Sequence, residues 1–216
     1  MHFLDAWLGL GPSHLLRSAL PAGFVALAVL VPGRQAARLA ALGVAVGLPF
    51  LPELAVPGWV TAGWILLWLA VAWQAGLSSS RPARRGARLG GLESGAIGLG
   101  LGLALLVLVG VGVARLDLEG EVTRRVSAGV LLAVLGLVHL MLRRHAVRAV
   151  TAFAAMGLGL QLLDGAVRAA VVGRTAPVVL PLLVTALAGV LVLRVGRVRA
   201  EVAGSSWVGD AHDLHD

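Results

Sequence analysis

The chain has 216 residues, 58% of them hydrophobic and 13% charged, with a formal net charge of +7 and a mean hydropathy of +0.91. A soluble domain carries about 25% charged residues, so half that share, gathered between long apolar runs, reads as an all-α polytopic membrane protein with no soluble domain. The absence of cysteine excludes disulfides, thiolate metal sites, iron–sulfur ligation and cysteine nucleophiles.

A hydrocarbon core about 30 Å thick needs roughly 20 helical residues, and seven apolar runs approach that length. The first covers 14–32. Asp5 and the lack of a basic cluster ahead of it argue against a cleavable signal peptide, so this span is expected to stay in the protein. The second, 39–56, is interrupted by Pro49, Pro52 and Glu53 and is expected to be short or kinked. The third covers 58–76, and "SSSRPARRGARLGG" (78–91) follows as a basic linker. This linker is a cytoplasmic anchor loop, or more sharply a docking strip for anionic lipid or an acidic partner. The fourth span, 92–114, opens on Glu93, an acid suited to a helix N-terminus. Its Gly98 and Gly102 form a small-xxx-small pair for helix packing rather than a phosphate loop, since no strand precedes and no Lys follows. The fifth is 126–142, the sixth 149–171 and the seventh 176–195, before a polar tail over 201–216. No run alternates apolar and polar residues as a barrel wall must. The domain reading is therefore a three-helix part (1–76), the linker (77–91), a four-helix part (92–200) and the tail.

All 18 basic residues are Arg, which reads as a GC-rich bacterial coding bias, and their distribution gives topology rather than nucleic-acid binding. On the N-terminal side of a seven-span chain lie six: Arg17, Arg115, Arg124, Arg125, Arg168 and Arg174. The other side carries the remaining 12: Arg34, Arg38, Arg81, Arg84, Arg85, Arg88, Arg143, Arg144, Arg148, Arg194, Arg197 and Arg199. The excess puts that second side in the cytoplasm of a bacterial inner membrane, with the N-terminus outside and the C-terminus inside.

Candidate chemistry concentrates in "QLLDGAVR" (161–168). Gln161, Asp164 and Arg168 share one helical face, with Gly157 four residues earlier on the same stripe. A charge at the bilayer centre costs about 2.5–3.5 kcal/mol on insertion scales, so this face should look into protein or water. Asp164 lies 15 residues beyond Ala149, about 22 Å along the axis, which puts it in the outer part of the membrane. Asp164 and Arg168 read as a structural ion pair with a snorkelling arginine, or, with Gln161, His139 and Glu93, as stations on a proton path. His212 and His215 with Asp210, Asp213 and Asp216 read as a solvated tail, so no metal or other cofactor is expected. No HExxH or GxSxG signature and no nucleophile–base pair stands within a span.

"HLMLRRHAVRAVTAFAAMGLGLQLLDGAV" (139–167) resembles the K subunit of respiratory complex I and, more closely, component E of hydrogenase-4-type complexes. Both families have a helix, a short cytoplasmic turn like "RRNxxR" and a second helix with a buried Glu; here Arg143, Arg144, His145 and Arg148 stand in the turn. The length, the seven spans and the tail pattern of Asp210 and Leu214 also look like the hydrogenase component. The chain departs from the pattern at the buried Glu: Gly157 stands where the hydrogenase component would carry it, and Ala154 where the complex I subunit would. Either Asp164 supplies a displaced carboxylate, or transport is lost and packing remains. The resemblance implies a non-redox membrane subunit of a complex I-like or membrane-bound hydrogenase-like ion-translocating assembly. Its partners would be antiporter-like subunits and lipid, and it would have at most a partial proton path. The alternative is a small standalone transporter, which would show an internal repeat; none is evident between 1–90 and 91–216.

Overall fold

Seven helices carry the described part of a computed structural model, which comprises residues 22–29, 35–48, 57–79, 95–116, 118–142, 146–170 and 180–202. In chain order these helices are α1 (22–29), α2 (Ala36–Gly47), α3 (Gly58–Ser79), α4 (Gly95–Ala114), α5 (Gly120–Leu142), α6 (Ala146–Ala170) and α7 (Leu180–Val202). No strand occurs among the described residues. Each apolar run in the sequence overlaps one of these helices. Four of them, α3, α5, α6 and α7, are long and apolar enough to cross a bilayer.

The outer surface is what a bilayer demands. Leu66, Trp73, Leu103, Leu108 and Leu191 are all more than half exposed. In water such an apolar belt would drive aggregation; in lipid it is the matched surface. The protein is a helical membrane protein.

α6 is the centre. It packs against α5, α7, α2 and α3, and it is the most deeply buried of the four long helices. Its composition explains this position, because Ala152, Ala154, Ala155, Gly157 and Gly159 give a helix thin enough to be approached from several sides. α4, by contrast, packs on α5 and leaves most of its apolar surface outward.

The α5–α6 contact is a backbone-on-backbone seam. A Cβ added to Gly136 would stand 2.7 Å from the carbonyl oxygen of Ala152, and one on Gly129 would stand 2.9 Å from that of Gly159. On the other helix, a Cβ on Gly159 would meet the carbonyl oxygen of Gly129 at 2.7 Å. Close approach of this kind is how helices associate in lipid, where burying apolar surface gives no drive. Opposed residues sum to 288 along this antiparallel pair, which fixes the level of every other residue on it.

The longest extensions beyond the hydropathy runs are at the start of α5 and the end of α7. α5 starts at Gly120, six residues before 126, because Arg125 finds acceptors inside the protein. α7 continues to Val202, beyond 195, since Arg and Ala in the last turns favour helix and the charged heads can reach water. In the second run the α-helix ends at Gly47, and Pro49, Pro52 and Glu53 lie outside the described residues.

Candidate functional site

Gln161, Asp164 and Arg168 gather toward the C-terminal end of α6, which meets the first turns of α5. Those first turns are held locally: Thr123 donates through Oγ1 to the Leu118 carbonyl at 2.9 Å, and Ser127 donates to the Arg124 carbonyl at 3.0 Å. Glu121 lies in the first turn, where a carboxylate complements the helix dipole. It pairs with Arg125, one turn on. Arg125 then reaches across to α6 and donates through Nη1 to the Gly165 carbonyl at 3.0 Å.

On α6, Arg168 Nε stands 2.8 Å from Asp164 Oδ2, with the side chains 16% and 23% exposed respectively. Gln161, one turn nearer the middle, is 3% exposed. The stripe therefore faces protein over most of its length. Arg168 Nη2 is buried with no acceptor among the described residues. Two ion pairs, Glu121 with Arg125 on α5 and Asp164 with Arg168 on α6, thus stand at this end of the α5–α6 seam. Asp164 lies 18 residues from the start of α6 at Ala146, about 27 Å along the axis.

The middle of α6 is different in kind. Between Thr151 and Gln161 every residue is Ala, Phe, Met, Gly or Leu, a gap of about 15 Å. At Gly157 the space for a side chain is already taken by Thr185 Oγ1 of α7. That hydroxyl is turned to its own helix, 2.7 Å from the Pro181 carbonyl. Proton transfer between side chains needs heavy atoms within about 2.6–3.2 Å or a bridging water, and α6 offers no titratable group across this gap.

The candidate residues are thus split between two ends. Gln161, Asp164 and Arg168 lie together. His139 is buried on α5, and the seam's register sets it level with Ala149, some 15 residues and about 22 Å from Asp164. Arg148 lies on α6 close to the level of His139. Glu93, Arg143, Arg144 and His145 lie outside the described residues, as does the tail with His212 and His215. Among the described residues, no group of three or more His, Cys, Asp or Glu stands ready to hold a metal ion.

Sequence reasoning missed Arg125 and the glycine seam. A signal for the seam was present: Gly129 and Gly136 are seven apart on one helix, and Ala152 and Gly159 are seven apart on the next. Compared with family models, curated proteins and solved structures, the chain matches none.

Proposed function

We propose that this chain is a non-redox membrane subunit that packs and couples neighbouring subunits in an ion-translocating assembly of the complex I-like or hydrogenase-like type, without conducting ions through its own centre. It would sit in a bacterial inner membrane with its N-terminus outside, as the arginine distribution favours. The assignment of the assembly rests on the resemblance over 139–167. The packing role rests on one observation above all: the position where that resemblance would put a buried carboxylate, Gly157, is filled by Thr185 of the adjacent helix. In the polar stripe further along Asp164 pairs with Arg168, and Arg125 of α5 bonds across to the Gly165 carbonyl, which suits a clamp between α5 and α6 better than a relay.

Purification in mild detergent followed by mass spectrometry of what accompanies the chain tests this reading. Large antiporter-like subunits with a hydrogenase or quinone-reducing arm are the expected companions. Recovery of a pure homo-oligomer would instead favour a standalone transporter. Within such an assembly, Asp164→Asn should lower complex yield more than the number of protons moved per electron; unchanged yield with abolished pumping would reverse the proposal.

A further inference from the structure

Laid side by side, α2 and α6 repeat one another. "RQAARLAALGVAVGL" (34–48) and "RHAVRAVTAFAAMGL" (144–158) share six of 15 residues at a spacing of 110, and the helices start on Ala36 and Ala146, the same distance apart. Burial recurs in phase: Ala40, Val44 and Leu48 are buried, as are Val150, Ala154 and Leu158. α3 and α7 repeat at a spacing of 118, where Trp64, Trp68 and Val71 answer to Leu182, Ala186 and Gly189, all of them buried. α1 lies on α2, with Phe24 and Val25 against Gly43, as α5 lies on α6. The change of spacing from 110 to 118 hides the recurrence when whole halves of the chain are compared.

The two units meet through equivalent helices, since α2 packs on α6 and α3 on α7. A Cβ on Gly189 would lie 3.8 Å from Val71, its own counterpart. Trp64, Trp68 and Val71 fall on one stripe of α3, so the stripe that meets α7 carries both indoles. Both are buried, and neither Nε1 has an acceptor among the described residues. Thr151 of α6 is fully buried, and its Oγ1 is likewise without a partner among the described residues. It lies off the stripe of Ala152, Met156 and Gly159 that meets α5, and off Val150 and Gly157, which meet α7. That leaves α2 and α3, the other helices packed on α6. The three groups therefore lie along the seam between the units. Val71 and Val150 both stand within 4 Å of one point over Gly189, and Trp68 and Thr151 are within about 5 Å of that level. An indole N–H can only donate, and a buried donor left without an acceptor is costly. α3 has no charged residue, and α6 has none between Thr151 and Gln161, so no counter-charge for an ion stands here.

We propose that α1–α3 and α5–α7 are two copies of one three-helix unit, running in the same sense on either side of α4, and that they part along their seam to admit a small uncharged molecule, which accepts hydrogen bonds from Trp64 and Trp68 and bonds to Thr151. Paired repeats with a binding site at their interface are a general build of membrane carriers. The two units have diverged at the site: the indoles answer to Leu182 and Ala186, and Thr151 answers to Ala41. Each unit thus contributes polar groups that the other lacks. A seam of this kind adds to the packing role, passes no ion, and does not depend on which assembly surrounds the chain.

The test uses the full-length chain in neutral detergent. Trp7→Phe, Trp59→Phe, Trp73→Phe and Trp207→Phe together leave Trp64 and Trp68 as the only tryptophans, in a chain with no tyrosine and no cysteine. Acrylamide, an uncharged amide, should quench their emission although both are buried, and iodide should not. Adding Val71→Cys with Gly189→Cys and oxidising ties α3 to α7 across the seam; quenching by acrylamide should be lost, and reduction should restore it. Val150→Cys with Gly189→Cys makes the control disulfide inside the second unit and should leave quenching unchanged. Four results would each overturn the proposal: no quenching by acrylamide before cross-linking, equal quenching by iodide, equal loss from the two disulfides, or failure of the Val71 and Gly189 pair to cross-link.

Discussion

Thr185 Oγ1 occupies the place where Gly157 would carry a Cβ. The contact makes glycine at 157 a packing requirement of the α6–α7 pair. Gly157→Ala should lower the thermal midpoint in detergent, by the ~1–3 kcal/mol typical of overpacking. Thr185→Ala, which removes the intruding oxygen, should recover part of that loss in the double variant. Gly157→Glu should fail to accumulate, since the carboxylate would meet a neighbouring helix and no charged partner. A stable Gly157→Glu protein would show that the centre has room for a proton-carrying group.

The glycines of the seam and those outside it should respond oppositely to alanine. Gly136→Ala and Gly159→Ala each press a methyl onto a carbonyl oxygen or amide nitrogen at 2.7 Å, and each should cost about 1–3 kcal/mol. A Cβ on Gly165 would meet nothing within 4 Å, so Gly165→Ala should be neutral or stabilising by up to about 1 kcal/mol through helix propensity. Parallel unfolding of the three variants in mixed micelles checks the sign. A loss at Gly165 equal to that at Gly159 would remove the distinction.

Asp164 and Arg168 should behave as a coupled pair. Exposed i,i+4 pairs contribute only about 0.3–0.5 kcal/mol, but both side chains here are largely shielded. Asp164→Asn leaves Arg168 without its carboxylate and should cost about 1–2 kcal/mol, below the ~3–5 of a fully buried pair. Asp164→Asn with Arg168→Gln should cost less than the sum of the single changes. Strict additivity would mean that the pair contributes nothing.

Arg125→Gln should separate the polar end of α5 from α6. It removes both the bond to the Gly165 carbonyl and the partner of Glu121. A drop of about 1–3 kcal/mol is expected, as for hydrogen bonds to charged groups. Faster hydrogen exchange confined to the start of α5 would locate the effect; exchange rising equally along α7 would not fit.

The helices were legible because lipid imposes one rule on length and composition: each of the seven runs overlaps a helix, and four of those helices, α3, α5, α6 and α7, are long and apolar enough to cross a bilayer. The stripe of Gln161, Asp164 and Arg168 was legible from helical spacing alone. The start of α5 was not. Arg125 looks like a boundary in a hydropathy profile, and only the carbonyl 40 residues later in the chain explains why the helix begins earlier. Thr185 against Gly157 was hidden for the same reason, since which glycine meets which neighbour is set by how helices cross, not by either sequence. The seven-residue recurrence of small side chains on α5 and α6 was readable from the chain itself.

The α5–α6 seam also bears on how the chain is made. Its two halves are joined by only residues 143–145, and their contacts lie close in the chain. The hairpin can therefore lock as soon as α6 leaves the ribosome, before α7 exists. A nascent chain stopped at residue 179 should already resist membrane proteases, whereas the same chain carrying Gly136→Leu should be degraded. α1 to α4 would then be received by, or wait for, a template that the second half of the polypeptide builds by itself.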